Sequence, residues 1–310
     1  MRPAILPDWW EDSCGQDPSL LPEIEIRVAR FLGLSLSAVR DSESPLSSPT
    51  YPHAQLRRVR DIDRDRLAPA IHSALKIAAA VVRNLRHSER PVREPPQDGF
   101  SWREQIVRSG PAVTLDDTLT DLWSRGIPVV PLSSIPTPNF QGLACIVEGR
   151  PVMLLGHKND EPGRVAFAVA HEAGHIAAGD CTPGQPIVDE ADEVFDDGDM
   201  EQRADRFAIR VLVGSDTIPA IDGGDFRTLA KKASERELSI GADASAIIFA
   251  WARRSGDYSK ASMAVKALYR ASGGWRILRE HFERNVDMTT ASETDSTLLR
   301  CVHGDDATSD

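Results

Sequence analysis

The sequence predicts an α+β fold, a small sheet beside a buried helix, flanked by helical N- and C-terminal segments. Three observations lead there. Short apolar runs of strand length gather between residues 127 and 155. A longer apolar run, Val165-Ala166-Phe167-Ala168-Val169-Ala170, leads into two histidines four residues apart. Elsewhere the apolar residues recur at helical spacing.

The bulk numbers bound the function. With 310 residues and 41% apolar content the chain can bury a sizeable core. A formal charge of -11 disfavours a protein whose main task is to coat nucleic acid, because phosphate binding needs excess Lys and Arg. Cys14, Cys145, Cys181 and Cys301 lie far apart with no CxxC pair, so they read as free thiols in a reducing cytoplasm. Apolar runs are too short for a signal peptide or a membrane span, and a cytoplasmic location without membrane contact is expected.

In chain order, residues 1–44 form a small first part. Within it Val28, Ala29, Leu32, Gly33, Leu34 and Val39 fall where a helix-turn-helix wants its apolar residues and turn glycine. The segment Glu23 to Arg40 resembles a remnant of a repressor-type helix-turn-helix. Pro45, Pro49 and Pro52 follow too closely for the helices that complete such a unit, so a docking or packing helix pair is the stronger reading and direct DNA binding the weaker. Residues 45–99 read as linker and one long helix. Asp41 to Pro52 and Ser88 to Gly99 are loop-like, and Ile62, Leu67, Ile71, Leu75, Ala78 and Val82 mark a helix from Asp61 to Arg86 interrupted near Pro69.

Residues 100–214 carry the central domain. A helix with Leu115, Leu119, Leu122 and Trp123 precedes strands at Ile127–Leu132, Leu143–Glu148 and Pro151–Leu155, the last two joined by a hairpin turn at Gly149-Arg150. A helix from Arg164 to Ala178, a polar loop and a helix from Met200 to Val213 complete it. Residues 215–287 read as a helical subdomain with helices at Ala242–Ala252 and Tyr258–Arg270. Residues 288–310 are a polar tail with the composition of disorder.

Chemistry concentrates in Ala170-His171-Glu172-Ala173-Gly174-His175, an HExxH sequence. Residues four apart on a helix share one face, so both imidazoles can reach a single ion. Zn²⁺ suits neutral imidazole, and a catalytic site uses three protein ligands and leaves one position to water. Glu172, next to the first ligand, is placed to take a proton from that water. The alternative is a hydrogen-bonded pair of core histidines.

The helix from Met200 offers the third ligand. Ala204, Phe207, Ala208, Val211 and Leu212 form its apolar stripe, and Glu201 and Asp205 sit on the edge of that stripe. Carboxylates facing a core need a metal or an imidazole as partner. Glu201 is assigned as the third metal ligand, and Asp205 as the acceptor that orients a ligating histidine. For Glu201 alone, a solvated acid in the first helical turn is an equal reading; HExxH upstream tips the balance. A His₂Glu set also accepts Mn²⁺ or Fe²⁺.

These residues resemble the ImmA/IrrE metallopeptidases, whose helices read RF-x-x-AHE-x-GH and E-x-x-A-[DN]-x-FA-x-x-LL. Here Arg164, Phe167, Ala170, His171, Glu172, Gly174 and His175 are followed by Glu201, Ala204, Asp205, Phe207, Ala208, Val211 and Leu212. Ala166 stands where Arg is usual, Val213-Gly214 replaces Met-Pro, and Ala177-Ala178-Gly179-Asp180 replaces a run ending in His; none of these removes a ligand. The resemblance covers roughly a third of the chain and implies a zincin-like zinc endopeptidase that cuts a partner protein, typically a helix-turn-helix repressor of a stress or mobile-element regulon. The other class of function is a DNA- or protein-binding regulator with the peptidase fold as sensor or scaffold; the intact Glu172 favours the enzyme.

Three features carry less weight. The acidic run Asp189 to Asp199 would attract a basic partner such as a DNA-binding repressor, although a solvated loop is the commoner explanation. His157 reads as a loop residue at a strand end, and Cys181 as a thiol that only in a minor reading approaches the metal as an inhibitory thiolate.

Overall fold

The computed structural model describes residues 6, 10–32, 35–41, 61–107, 112–133, 140–156, 160–190, 199–221 and 224–303. Gly33, Leu34, the proline-rich segment 42–60, His157, the acidic residues 191–198 and residues 304–310 lie outside them. The fold is α+β, as the periodicities predict. Its sheet has four strands: β1 (Val129–Leu132), β2 (Phe140–Val147), β3 (Arg150–Gly156) and β4 (Ile187–Glu190), in the order β1-β3-β2-β4. β2 runs antiparallel to β3 and β4, and β1 parallel to β3.

The β2–β3 hairpin turns on Glu148-Gly149, one residue earlier than expected, with Val147 paired to Arg150. Both turn residues have positive φ, 51° and 75°. That is the requirement of the two-residue turn whose twist matches the strands, and Gly149 meets it without strain.

Helices surround the sheet. α1 (Leu21–Leu32), α2 (Leu36–Arg40), α3 (Asp61–Arg83), α4 (Gly99–Ile106) and α5 (Leu115–Ser124) precede or lead into it. α6 (Pro162–Ala177) and α7 (Asp199–Val213) follow β3 and β4. α8 (Phe226–Ile240), α9 (Ala244–Ser255), α10 (Tyr258–Ala267), α11 (Gly274–Asn285) and α12 (Glu293–His303) complete the chain. From Arg150 to Leu155 every β3 residue is buried, so both sheet faces are covered, and α3 and α6 both pack on β2 and β3.

Three expectations are corrected. α3 runs through Pro69 without a break: one proline deletes a single backbone donor, and Ala70 to Val82 are held in the core. The tail is not disordered over its first part. Leu298, Leu299 and Val302 of α12 are buried, and Asp295 accepts from Arg83 (Nε, 3.1 Å) and Asn84 (3.1 Å) on the α3 side. α4 was not expected at all; it is fixed by Trp102, which donates to Asp121 at 2.7 Å and stacks on Phe207 of α7 with centroids 5.6 Å apart. At the N-terminus α1 and α2 form a helix pair, closed by Arg40 to Glu25 at 2.7 Å, and α1 rests on α3.

One buried base couples this core to pH. His72 of α3 is 9% exposed, and its Nε2 has no partner among the described residues. Burial, with Lys76 adding to it, lowers its pKa to about 4. The fold therefore keeps His72 neutral, whereas the unfolded chain binds a proton near 6.5. Its contribution to stability is complete above that pH and is lost as pH falls from 6.5 through about 4. A His72→Leu variant is expected to show a shallower decline of melting temperature across that window than the wild type; parallel curves would remove His72 as the cause.

Candidate metal centre

The centre is built on α6 and α7, which pack on each other at a glycine. A Cβ on Gly174 would lie 3.2 Å from the Ala204 Cα and 3.2 Å from the Phe207 ring, so the bare glycine sets how closely the helices approach. α6 begins with Pro162 in its first turn, where the missing N–H has no helical partner to lose. Apolar Val165 to Ala170 then bury it, and His171 and His175 emerge four residues apart on the face toward α7.

His171, His175 and Glu201 meet, with exposures of 2%, 1% and 3%. His171 Nε2 lies 2.9 Å from one Glu201 oxygen, His175 Nε2 lies 3.2 Å from the other, and the two Nε2 atoms are 3.1 Å apart. Two donors each held about 2.0–2.1 Å from one ion at the tetrahedral angle stand about 3.3 Å apart. The three buried side chains can therefore hold a metal ion.

The outer partners strengthen that reading. Asp205 Oδ1 lies 2.8 Å from His171 Nδ1, and Asp180 Oδ2 lies 3.1 Å from His175 Nδ1. In the tautomer whose Nδ1–H is given to the carboxylate, each Nε2 carries a lone pair that can ligate a metal. Two lone pairs and a carboxylate then face one another in a buried space, a set that a cation would satisfy. Proton affinities reflect how closely the imidazoles and carboxylates are coupled. Burial lowers the His175 pKa, but the bonds to Asp180 and Glu201 outweigh it and the net shift is upward. Burial would raise Glu201, yet the two imidazoles hold it well below the usual carboxylate range.

Asp205, expected as the orienting acceptor, is on His171, and Arg253 of α9 braces it at 3.1 and 3.2 Å. Asp180 was missed. α6 ends in a Schellman motif: Gly179, with φ 71°, donates to the Ile176 carbonyl and Asp180 N–H donates to the His175 carbonyl, 3.0 Å each. That turn brings the Asp180 side chain back onto the second histidine, and Arg203 of α7 holds its other oxygen at 3.0 Å. The signal was present as a glycine and an acid just past the last histidine.

Glu172 is 1% exposed and lies against β2, where a Cβ on Gly142 would come within 2.1 Å of its Oε1. The absent side chain of Gly142 is the space the carboxylate fills. Cys181 does not join the donor group. It is buried, and burial, then the charge of Glu172, pushes its thiol pKa up, so the thiolate reading is withdrawn. A cavity of about 40 Å³ reaches His171 past Phe167, Phe249 and Tyr258. It has room for two or three water molecules.

No family model and no curated protein matches the chain.

Stripping and reloading the protein with Zn²⁺ tests the donor set. His171→Ala, His175→Ala and Glu201→Ala are each expected to lower the zinc bound per chain, and undiminished zinc in any of them would remove that residue from the set. Asp180→Asn and Asp205→Asn are expected to weaken zinc affinity by about 10–100-fold. A wild-type affinity in Asp180→Asn would reduce it to a helix-end residue.

Proposed function

We propose that the chain is a zinc endopeptidase with a zincin-like centre, in which His171, His175 and Glu201 hold Zn²⁺ and Glu172 is the general base. The observation that carries this is the position of Glu172. A histidine pair kept only for structure, or a metal kept only as a scaffold, has no need of a further buried acid beside the first ligand. Here that acid is buried to 1% exposure in a niche opened by Gly142.

When bound, zinc would supply Lewis acidity toward the scissile carbonyl and lower the pKa of water to about 7. The rest is the work of the chain. The Glu172 carboxylate takes a proton from the attacking water and returns it to the amide nitrogen as the peptide bond breaks. Asp205 and Asp180 would hold the imidazoles in the tautomer that keeps a lone pair on each Nε2 for the metal. Gly142 sets where the Glu172 oxygens stand.

The substrate class comes from the resemblance to ImmA/IrrE metallopeptidases: a partner protein, by analogy a helix-turn-helix repressor. No helix among the described residues is long and apolar enough to cross a membrane.

Glu172→Gln is expected to keep zinc and to lose hydrolysis of a co-expressed candidate repressor by about 10²–10⁴-fold. An empty site in that variant, or retained hydrolysis, would overturn the assignment. Gly142→Ala is expected to keep zinc and to slow hydrolysis by about 100-fold, since its methyl displaces the base; an unaltered rate would show that the niche does not position Glu172.

A further inference from the structure

The cavity that reaches His171 is cationic, against the sign of the chain as a whole, whose formal charge is -11. Two guanidinium groups line it, Arg164 of α6 and Arg253 of α9. They are held differently. Arg253 is bound to Asp205 and belongs to the brace of the metal centre. Arg164 lies between two aromatic rings, 4.8 Å from the Tyr258 centroid and 5.7 Å from that of Phe249, and makes no ion pair with any described residue. Stacking fixes the plane of a guanidinium and leaves its N–H edge to a ligand. A half-buried cation with no direct ion pair, whose charge Glu161 offsets only from a distance, stands about two helical turns before the first metal ligand, where its N–H groups can receive an anion.

We propose that Arg164 binds a carboxylate of the substrate. The cavity is too small for an aromatic or long aliphatic side chain and large enough for a carboxylate. The carboxylate comes from an acidic side chain beside the scissile bond or from a free chain end. The link to cleavage rests on the peptidase reading; carboxylate binding does not.

The experiment separates the two. Full-length protein is stripped of metal, so that no ion can hold the probes, and titrated calorimetrically with three compounds: N-acetyl-aspartic acid α-amide, with a side-chain carboxylate; N-acetyl-alanine, with a chain-end carboxylate; and the neutral N-acetyl-asparagine amide. At least one acid is expected to bind ten-fold or more tightly than the neutral compound. Arg164→Gln is expected to abolish that margin, and Arg164→Lys, which keeps the charge without the planar fork, to reduce it. Zinc binding by the reloaded variants reports that they fold; should Arg164→Gln fail this check, the Lys variant decides.

Equal binding of acid and amide by the wild type, a margin that survives in a folded Arg164→Gln, or, where the Lys variant decides, an undiminished margin in it, would overturn the proposal. The preferred acid identifies the source of the carboxylate. Zinc-loaded wild type offered a peptide library is expected to cut beside Asp or Glu if the side-chain probe wins, and near chain ends if the other does. No cleavage of any peptide would count against the peptidase reading, while the calorimetric margin still decides the role of Arg164.

Discussion

Three polar side chains converge in a space closed to solvent, and the need to satisfy them there is the constraint on which the centre depends. His171 Nε2, His175 Nε2 and the Glu201 carboxylate stand 2.9 to 3.2 Å from one another. Water cannot satisfy them, because each residue is at most 3% exposed. A cation between them would. Asp205 and Asp180 favour such a site, since each can accept the outer N–H of its imidazole and leave the inner nitrogen a lone pair for a metal.

The packing around the centre is arranged by elements that hold no ligand. Arg103 of α4 donates to the carbonyls of Val211 and Leu212 at the end of α7, and also to the Gly241 carbonyl that closes α8. A cation at those carbonyls offsets the negative end of the helix dipole. Trp102 joins α4 to α5 through Asp121 and to α7 through Phe207. α7, which carries Glu201 and Asp205, is therefore clamped by α4 as well as by α6. Asp160 ties the start of α6 to α11 by accepting from the Gly273 and Trp275 N–H groups.

What was legible in the sequence followed from periodicity and local chemistry. The HExxH spacing places its histidines on one face whatever surrounds them, and the apolar stripe of α7 aims Glu201 and Asp205 inward. Elements that depend on distant partners were not legible. β4 is four residues, Ile187 to Glu190, at the edge of an acidic run, and it exists because β2 pairs with it. α4 has few apolar positions, and its stability comes from Trp102 reaching two other helices. α12 reads as polar tail until Asp295 meets Arg83 and Asn84 across more than two hundred residues. The niche at Gly142 belongs to the same class: nothing near that glycine in sequence points to a carboxylate on another element.

The bare contact of Gly174 with Ala204 acts as a calliper. Helix separation there is set by Gly174 against the Ala204 backbone and the packed Phe207 ring, so the gap across which Glu201 faces the imidazoles is held to a narrow width. A methyl at that position would press on Ala204 and Phe207 and so move Glu201 against the imidazoles with all three of those side chains unaltered.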